Sequence, residues 1–275
     1  MVDKRSKKFL QGVKMKKIVL FDMDGTLTPA RKAMEPTVLA SLKKLHNAGY
    51  EIGIVTGSGM NYIKEQCVIM FEDFNFDHNK LYYFPHNGTK YIRYESNLEN
   101  ILYDMSMKKE IGETRYREII YHLIENQLRI KRKLYGSKIP LTGNFIDCRG
   151  SMINWCPIGR NANHDDRAAW KILDLKHKIR ESLLDAHFRD PVYECVEVKL
   201  GGSTSFDIYP KGWDKSFVLS NFNQEDDIWF IGDKCQLHGN DKELYDAIRL
   251  KNSDRSFKTN NPAQTIDIIN TILKG

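Results

Sequence analysis

The sequence of 275 residues is poor in cysteine, with five in all, an odd number that includes no Cys-x-x-Cys spacing. This pattern supplies neither the paired bridges of a small secreted domain nor the ligands of a zinc knuckle. Long hydrophobic runs are also missing, since no stretch approaches the roughly 18 apolar residues that a membrane span needs. Residues 1–14 lack the apolar centre of a signal peptide. We therefore predict reduced thiols in a cytoplasmic protein that does not contact a membrane.

A strong excess of one charge is absent as well. The chain has 42 lysines and arginines against 36 aspartates and glutamates, which gives a formal net charge of +6. Its densest basic segments, residues 4–8, 14–17 and 131–133, contain no aromatic residues between the charges, as a base-stacking surface would. We therefore expect solvated faces and no nucleic-acid partner, and we predict that residues 1–15 form a flexible basic extension.

What the first third of the chain does contain is a series of apolar runs with the length of buried strands. They are predicted at residues 17–21, 51–55 and 81–84. Between the first two, Leu39, Leu42 and Leu45 recur at helical spacing within residues 36–48. This alternation is typical of βαβ units, and the same buried-strand pattern returns at residues 227–233, where it ends in an acid.

The middle of the chain has a different character. It contains a charged helical segment at residues 108–134, a hairpin at 144–155 and a helix at 165–188, followed by strands at 192–200 and 205–209. Because this α+β segment interrupts the βαβ pattern, we predict an α/β protein with an inserted α+β cap domain. The predicted Rossmann-like, doubly wound parallel-sheet core comprises residues 16–88 and 210–275, and the cap comprises residues 89–209.

Two carboxylates follow the first predicted strand directly, in the sequence Asp22-Met-Asp24-Gly-Thr. At the end of such a strand, both would project into the crevice at the carboxyl edge of the sheet, where ligands bind. One carboxylate can attack a phosphorus atom and become an aspartyl phosphate, while the other gives and takes the proton of the leaving or entering oxygen. We assign these roles to Asp22 and Asp24; the alternative is an acidic turn that only caps a following helix.

Other residues have the chemistry to complete a phosphoryl-transfer site. Mg²⁺ prefers carboxylate, carbonyl and water oxygens. Asp22 and Asp233, with the Asp24 carbonyl, can supply such ligands, and Asp241 can assist from the next loop. Lys215 would pair with the nucleophile and the transferring phosphoryl group, and a hydrogen bond from Ser58 would hold that group.

In this order, these residues resemble the motifs of the haloacid dehalogenase superfamily of phosphotransferases. Longer stretches, at residues 145–160, 201–207, 212–215 and 232–241, resemble the eukaryotic-type phosphomannomutases, and the resemblance covers nearly the whole chain after residue 15. It implies a Mg²⁺-dependent core, a mobile cap inserted after the third strand, and a homodimer formed through the caps. It also implies conversion of the phosphorylated hexose mannose 6-phosphate to mannose 1-phosphate, primed by a hexose 1,6-bisphosphate.

A hexose bisphosphate carries two dianions, and guanidinium groups suit tetrahedral oxyanions. In the family, three cap arginines hold the distal phosphate, two further cap residues contact phosphate and sugar hydroxyls, and a core arginine reaches toward the substrate. Arg149, Arg160 and Arg167 match the cap arginines that hold the distal phosphate. Ser205 and Asp207 match the cap residues that contact phosphate and sugar hydroxyls, and Arg31 matches the core arginine.

Four positions depart from the family pattern. Thr56 stands in place of glycine, Gly59 of aspartate, His86 of glutamate and Thr142 of a basic residue. The run Thr56-Gly57-Ser58 is nearer to the loop of the related sugar-phosphate phosphatases. For His86 we expect a loop histidine with a hydrogen-bonded ring rather than a proton carrier.

Three functions therefore compete. We favour the mutase, because the arginine set can hold either end of a bisphosphorylated sugar, and keep a Mg²⁺-dependent sugar-phosphate phosphatase as the alternative. A non-catalytic binding protein is a third hypothesis, and the retention of Asp22, Asp24, Lys215 and Asp233 together argues against it.

Overall fold

The computed structural model describes residues 15–73, 76–96, 98–133, 139–186 and 188–275. The predicted basic extension lies outside these residues except for Met15. Within the described ranges, none of the helices combines the length and the hydrophobicity that a membrane crossing requires.

Eleven strands are assigned in the described residues. In chain order they are β1 (Lys17–Phe21), β2 (Glu51–Val55), β3 (Leu81–Phe84), β4 (Lys90–Glu95), β5 (Leu98–Asp104), β6 (Ile146–Cys148), β7 (Ile153–Trp155), β8 (Val196–Gly201), β9 (Ser205–Pro210), β10 (Asp227–Gly232) and β11 (Ser256–Lys258). The helices of the same residues are α1 (Pro36–Asn47), α2 (Met60–Gln66), α3 (Val68–Phe71), α4 (Met107–Ile111), α5 (Glu113–Lys133), α6 (His164–His177), α7 (Ile179–Ala186), α8 (Lys242–Lys251) and α9 (Pro262–Ile272).

The larger sheet has the strand order β11-β10-β1-β2-β3-β4-β5. Its first five strands are parallel, and β4 and β5 add an antiparallel edge. Side chains alternate across β1: Val19 and Phe21 lie in the cluster that contains residues of α1 and α9, whereas Ile18 and Leu20 pack on the α8 side. Helices therefore cover both faces, which confirms the predicted doubly wound, Rossmann-like sheet.

The position of β1 explains where the functional residues meet. Because β1 lies between β10 and β2, the chain connections leave it in opposite directions, and the crevice at such a switch point opens beyond the carboxyl ends of the strands. Asp22 follows β1, Ser58 follows β2 and Asp233 follows β10. Three segments that are far apart in the sequence therefore reach one edge of the sheet.

The smaller sheet is antiparallel, in the order β6-β7-β9-β8, and belongs to a second unit that we call the cap, residues 105–210. The cap has a hydrophobic core of its own. Trp155 of β7 and Phe206 of β9 pack in it with Trp170 of α6 and Leu123 of α5, all fully buried.

Two elements differ from the predictions. Strands β4 and β5, which we had placed in the cap from residue 89, pair with β3 and extend the core sheet as far as Asp104. The helix predicted at residues 165–188 instead divides into α6 and α7 at Lys178, which adopts a left-handed conformation (φ 49°). Asp174 stabilises this break, because its carboxylate accepts hydrogen bonds from the backbone N–H and the Nε–H of Arg180.

Candidate active site

A cavity of about 670 Å³ lies between the carboxyl edge of the core sheet and the cap. Most of the predicted site residues line it: Asp22, Asp24, Arg31, Ser58, Arg149, Arg160, Arg167, Ser205, Asp207 and Asp233. The remaining two, Lys215 and Asp241, are fully buried and bonded to each other behind Asp22. The fold thus brings all the predicted residues to one place.

Lys215 begins a short 3₁₀ helix, Lys215–Asn221, and its side chain lies between two carboxylates. Its Nζ donates a hydrogen bond to Asp22 Oδ1 and another, of 2.6 Å, to Asp241 Oδ1. Burial by itself lowers the pKa of Lys215, but the two carboxylates outweigh it and raise the pKa above its ordinary value. Lys215 is therefore a fixed positive charge beside Asp22.

Asp22 needs more positive charge than Lys215 provides. Burial raises the pKa of Asp22, and the nearby charge of Asp241 raises it further, although Lys215 opposes the rise. The Asp22 Oδ2 atom is buried and has no hydrogen-bond partner in the described residues. An ionised Asp22 would thus gain from a cation at Oδ2.

The surroundings of Asp22 fit a divalent metal ion. One oxygen each from Asp22, Asp233 and Asp241 lies within 4.8 Å of the others. Asp233 Oδ1, like Asp22 Oδ2, is buried without a hydrogen bond in the described residues, whereas both oxygens of Asp241 are engaged, by Lys215 and by the Lys234 backbone N–H at 2.8 Å. Two carboxylate oxygens without a hydrogen bond in the described residues and a third acid suit Mg²⁺, and Lys234 Nζ lies 3.8 Å from Asp233 Oδ1.

The absence of a side chain at Gly25 allows Asp233 to approach the turn after Asp24. A Cβ on this residue would lie 2.5 Å from Asp233 Oδ2, and its φ of +88° is in the left-handed region that favours glycine. The tight turn after Asp24 and the position of Asp233 therefore depend on the same missing side chain.

The carboxylate of Asp24 lies outside the three-acid cluster. Its Oδ1 accepts a hydrogen bond of 3.0 Å from the backbone N–H of Arg31, which orients it toward the cavity. A partly exposed carboxylate beside the three-acid cluster has the position of a general acid or base for a bound ligand. The contribution of the Asp24 carbonyl to metal binding stays a prediction.

The cap arginines enter the cavity opposite the acids. Arg149 Nε donates to Asp147 Oδ2 at 2.9 Å, and its Nη1 donates to the carbonyl of Gly57 in the core at 3.2 Å. Arg160 Nη1 donates to Asn154 Oδ1 at 2.8 Å, and its Nε lies 3.3 Å from the same carboxylate oxygen of Asp147. Two guanidiniums thus share one acid, and Arg149 joins the cap to the core.

Arg167 is held mainly by neutral groups. It donates to the carbonyls of Ala162 and Arg160 and to the hydroxyl of Thr204, each at 2.9 Å. Burial lowers the pKa of Arg167, and the positive charge of Arg31 lowers it further. Burial likewise lowers the pKa of Arg160, and the positive charge of Arg149 lowers it further. This concentration of positive charge would be relieved by an anion such as a phosphate.

Sequence reasoning missed two residues that organise the cap side, Asp147 and Asn154. They face each other across β6 and β7, and Asn154 faces Asp207 across β7 and β9. Asn154 Nδ2 donates to Asp207 Oδ1 at 2.6 Å and to Ser205 Oγ at 3.0 Å. The local signal was that Asp147 of β6 lies two residues before Arg149, which follows the strand.

The expectation of a hydrogen-bonded ring for His86 is wrong. Its ring lines the cavity, and its Nδ1 is buried without a hydrogen-bond partner in the described residues. Thr56, another departure, has a structural contact, because its hydroxyl accepts a 3.2 Å hydrogen bond from the backbone N–H of Ser58.

Comparison with known proteins agrees with this geometry. A family model described as "Eukaryotic phosphomannomutase" matches residues 38–275. The phosphomannomutase of Schizosaccharomyces pombe is 34% identical over 241 residues, which are 84% of this chain and 85% of that protein. Phosphomannomutase 2 of Dictyostelium discoideum is 32% identical over 259 residues, or 92% and 95% of the two chains.

Solved structures support the fold. The C-terminal domain of trehalose-6-phosphate phosphatase from C. albicans aligns with a TM-score of 0.58 at 16% identity, over 94% of this chain and 93% of that one. The IMP-nucleotidase of Plasmodium falciparum aligns with a TM-score of 0.56 at 16% identity, over 96% of this chain and 69% of that one. The family model and the phosphomannomutase relatives show that this chain belongs to the eukaryotic phosphomannomutase family.

Proposed function

We propose that this protein interconverts mannose 6-phosphate and mannose 1-phosphate through a phosphoryl group carried on Asp22. The observation that carries the proposal is the pair of charged groups at opposite ends of one cavity. Asp22 and Asp24 line its core side, and Arg149, Arg160 and Arg167 line its cap side. A sugar with a phosphate at each end matches this arrangement.

The chemistry begins with a hexose 1,6-bisphosphate, which primes the enzyme. The Asp22 carboxylate attacks one phosphorus atom, the bond from phosphorus to the sugar oxygen breaks, and Asp24 donates its proton to that oxygen. In the next half-reaction, the free hydroxyl of a bound hexose monophosphate attacks the aspartyl phosphate while Asp24 accepts its proton. The resulting bisphosphate turns around and returns its other phosphoryl group to Asp22.

The groups around Asp22 offset the repulsion between two anions. Asp22 and Asp233 would hold Mg²⁺, with Asp241 as a third acid that also positions Lys215. The bound ion would supply positive charge at the transferring phosphoryl group. Lys215 adds a second charge from the opposite side of Asp22, and Ser58, on the loop after β2, can donate a hydrogen bond to a phosphoryl oxygen.

A sugar-phosphate phosphatase is the second candidate, favoured by the loop at Thr56 and Gly59. It uses the same aspartyl phosphate but lets water take the phosphoryl group. Arg149 bears on this choice, because its hydrogen bond to the Gly57 carbonyl helps to close the cap over the cavity. Exclusion of water by a closed cap favours return of the group to sugar.

One assay separates the two. The protein is incubated with mannose 1-phosphate and Mg²⁺, with and without a trace of glucose 1,6-bisphosphate, and mannose 6-phosphate and inorganic phosphate are both measured. We expect isomer in excess of phosphate, and a rate that depends on the bisphosphate. Release of phosphate alone, at a rate independent of the bisphosphate, would overturn the mutase in favour of the phosphatase.

We further propose a cytoplasmic location, which the unpaired cysteines support. We also propose a homodimer formed through the cap. Tyr121, Ile124 and Leu128 form an exposed apolar stripe at helical spacing on α5. Leu128→Glu should convert the dimer to monomer in light scattering, whereas Leu250→Glu, on the exposed side of α8, should not. An unchanged mass for Leu128→Glu would contradict the proposal.

A further inference from the structure

His86 enters the cavity from the loop after β3 with its backbone firmly held. The residue has a φ of 53°, an uncommon value for a non-glycine residue. Its N–H donates to the carbonyl of Ser58 at 3.0 Å, and its carbonyl accepts a 2.6 Å hydrogen bond from the Thr89 hydroxyl. The imidazole is thus fixed beside the loop of residues 57–59, next to the predicted phosphoryl-transfer residues.

Gly59 makes room for the ring. A Cβ on Gly59 would lie 3.1 Å from His86 Nε2, closer than most real Cβ contacts, and both residues line the cavity. The two ring nitrogens differ in their surroundings. Nδ1 is buried, whereas Nε2 is not among the fully buried atoms and, within the described ranges, forms no hydrogen bond with the protein. Nε2 is therefore the nitrogen that a ligand can reach.

The proton of the neutral ring belongs on Nε2. A buried N–H without an acceptor costs more than a buried lone pair without a donor, so the tautomer that leaves Nδ1 unprotonated is favoured. Burial lowers the pKa of His86 to about 4, with a further contribution from the positive charge of Arg149. The ring is then neutral at physiological pH and presents one uncharged hydrogen-bond donor to the cavity.

Asp207 presents an acceptor to the same loop. Its Oδ1 is occupied by Asn154, but its Oδ2 has no hydrogen bond in the described residues and lies 3.8 Å from the position of a Cβ on Gly57. A sugar hydroxyl can both accept and donate a hydrogen bond, whereas a phosphate dianion can only accept. A donor and an acceptor on either side of the loop therefore suit the hydroxyl-bearing part of a hexose better than a phosphate.

We propose that His86 is a specificity-determining residue that donates a hydrogen bond from Nε2–H to one sugar oxygen of the bound hexose phosphate. This inference rests on the proposed function, because it requires a sugar phosphate in the cavity. It assigns a substrate contact to a residue that differs from the glutamate of the family pattern.

The test compares deoxy analogues. Mannose 1-phosphate and its 2-, 3- and 4-deoxy derivatives are assayed with the wild-type protein, His86→Ala and His86→Gln, whose side-chain amide can donate in place of Nε2. For the wild-type protein, one analogue should lose about 3- to 10-fold in kcat/KM, the effect of one neutral hydrogen bond. With intact mannose 1-phosphate, the kcat/KM of His86→Ala should fall by a similar factor, mainly through KM. The sensitive deoxy analogue should lower the kcat/KM of His86→Ala no further. His86→Gln should recover part of the loss. His164→Ala, a highly exposed control, should behave as wild type.

Two results would overturn the inference. The first is an identical sensitivity of the wild-type protein and His86→Ala to every deoxy analogue. The second is an unchanged ¹⁵N shift of the His86 ring when mannose 1-phosphate binds to Asp22→Asn, a measurement that does not depend on how His86→Ala folds. If the wild-type protein turns over p-nitrophenyl phosphate but no hexose phosphate, the proposed function fails, and this inference fails with it.

Discussion

The two ends of the cavity hold their charges in different ways. At the core end, Lys215 and Asp241 are fully buried, and opposite charges are in direct contact. At the cap end, the side chains of Arg149 and Arg160 are 14% and 30% exposed and share the single carboxylate of Asp147. The buried positive charge of Lys215 is therefore held between two carboxylates at the core end, whereas positive charge is in excess at the cap end.

This difference assigns a separate task to each end. Buried opposite charges are held in one geometry whether or not a ligand is present, as covalent chemistry at a single atom requires. Arginines that are held partly by carbonyl and amide oxygens remain available to a phosphate. We conclude that the core end is organised in advance for phosphoryl transfer and that the cap end is completed by the substrate.

The largest expected effect is at the core end. Asp22→Asn keeps the shape of the side chain but removes the nucleophile, and should lower turnover by more than about 10⁴-fold, as loss of a nucleophile does in other enzymes. Isomer formation and phosphate release should fall together, while the circular dichroism spectrum stays unchanged. Activity within tenfold of wild type would contradict the proposed chemistry.

The next prediction compares how much a residue at each end contributes to the free energy of unfolding. Lys215→Met leaves two buried carboxylates without their partner and should lower the free energy of unfolding by about 3–5 kcal/mol. Arg160→Met, at a partly exposed position, should cost only about 1 kcal/mol. Urea unfolding measures both values, and equal losses would remove the distinction between the two ends.

Substrate binding, in contrast to stability, should depend mainly on the cap end. If Arg160 holds the distal phosphate as proposed, Arg160→Ala removes a charge-assisted contact worth about 1.5–3 kcal/mol and should raise KM about 10- to 100-fold, with a smaller change in kcat. Arg117→Ala, on the exposed side of α5, is the matched control and should leave KM unchanged. A fall in kcat at constant KM would place Arg160 in the chemical step instead.

The smallest expected effect concerns the contact between the two units. Lys199 of the cap pairs with Glu243 of α8 in the core at 2.6 Å. Because a partly exposed ion pair contributes about 0.2–1 kcal/mol, Lys199→Met should raise the ratio of phosphate released to isomer formed by about 2- to 5-fold. Lys211→Met, an exposed control just after the cap, should not. An unchanged ratio for Lys199→Met would mean that this pair does not help to keep water out.

The predictable parts of the site are those that follow from a local pattern. The strand ends of the core are marked by short apolar runs followed by acids, which places Asp22 and Asp233 at the sheet edge. Strands β4 and β5 were missed because residues 89–104 are more polar, and their place in the core depends on pairing with β3. The break at Lys178 was missed because nearby side chains, rather than a glycine or proline, stabilise it.

The sequence by itself determined the core strands β1, β2, β3 and β10, the acids that follow β1 and β10, and the family to which the chain belongs. Only the tertiary structure decided which atoms remain available. It brings Lys215 to Asp22 across 193 residues, leaves Asp22 Oδ2 without a hydrogen bond in the described residues, and places His86 in the lining of the cavity. The physical reason is that residue type and periodicity act locally, whereas hydrogen bonding, burial and pKa depend on neighbours that meet only when the chain has folded.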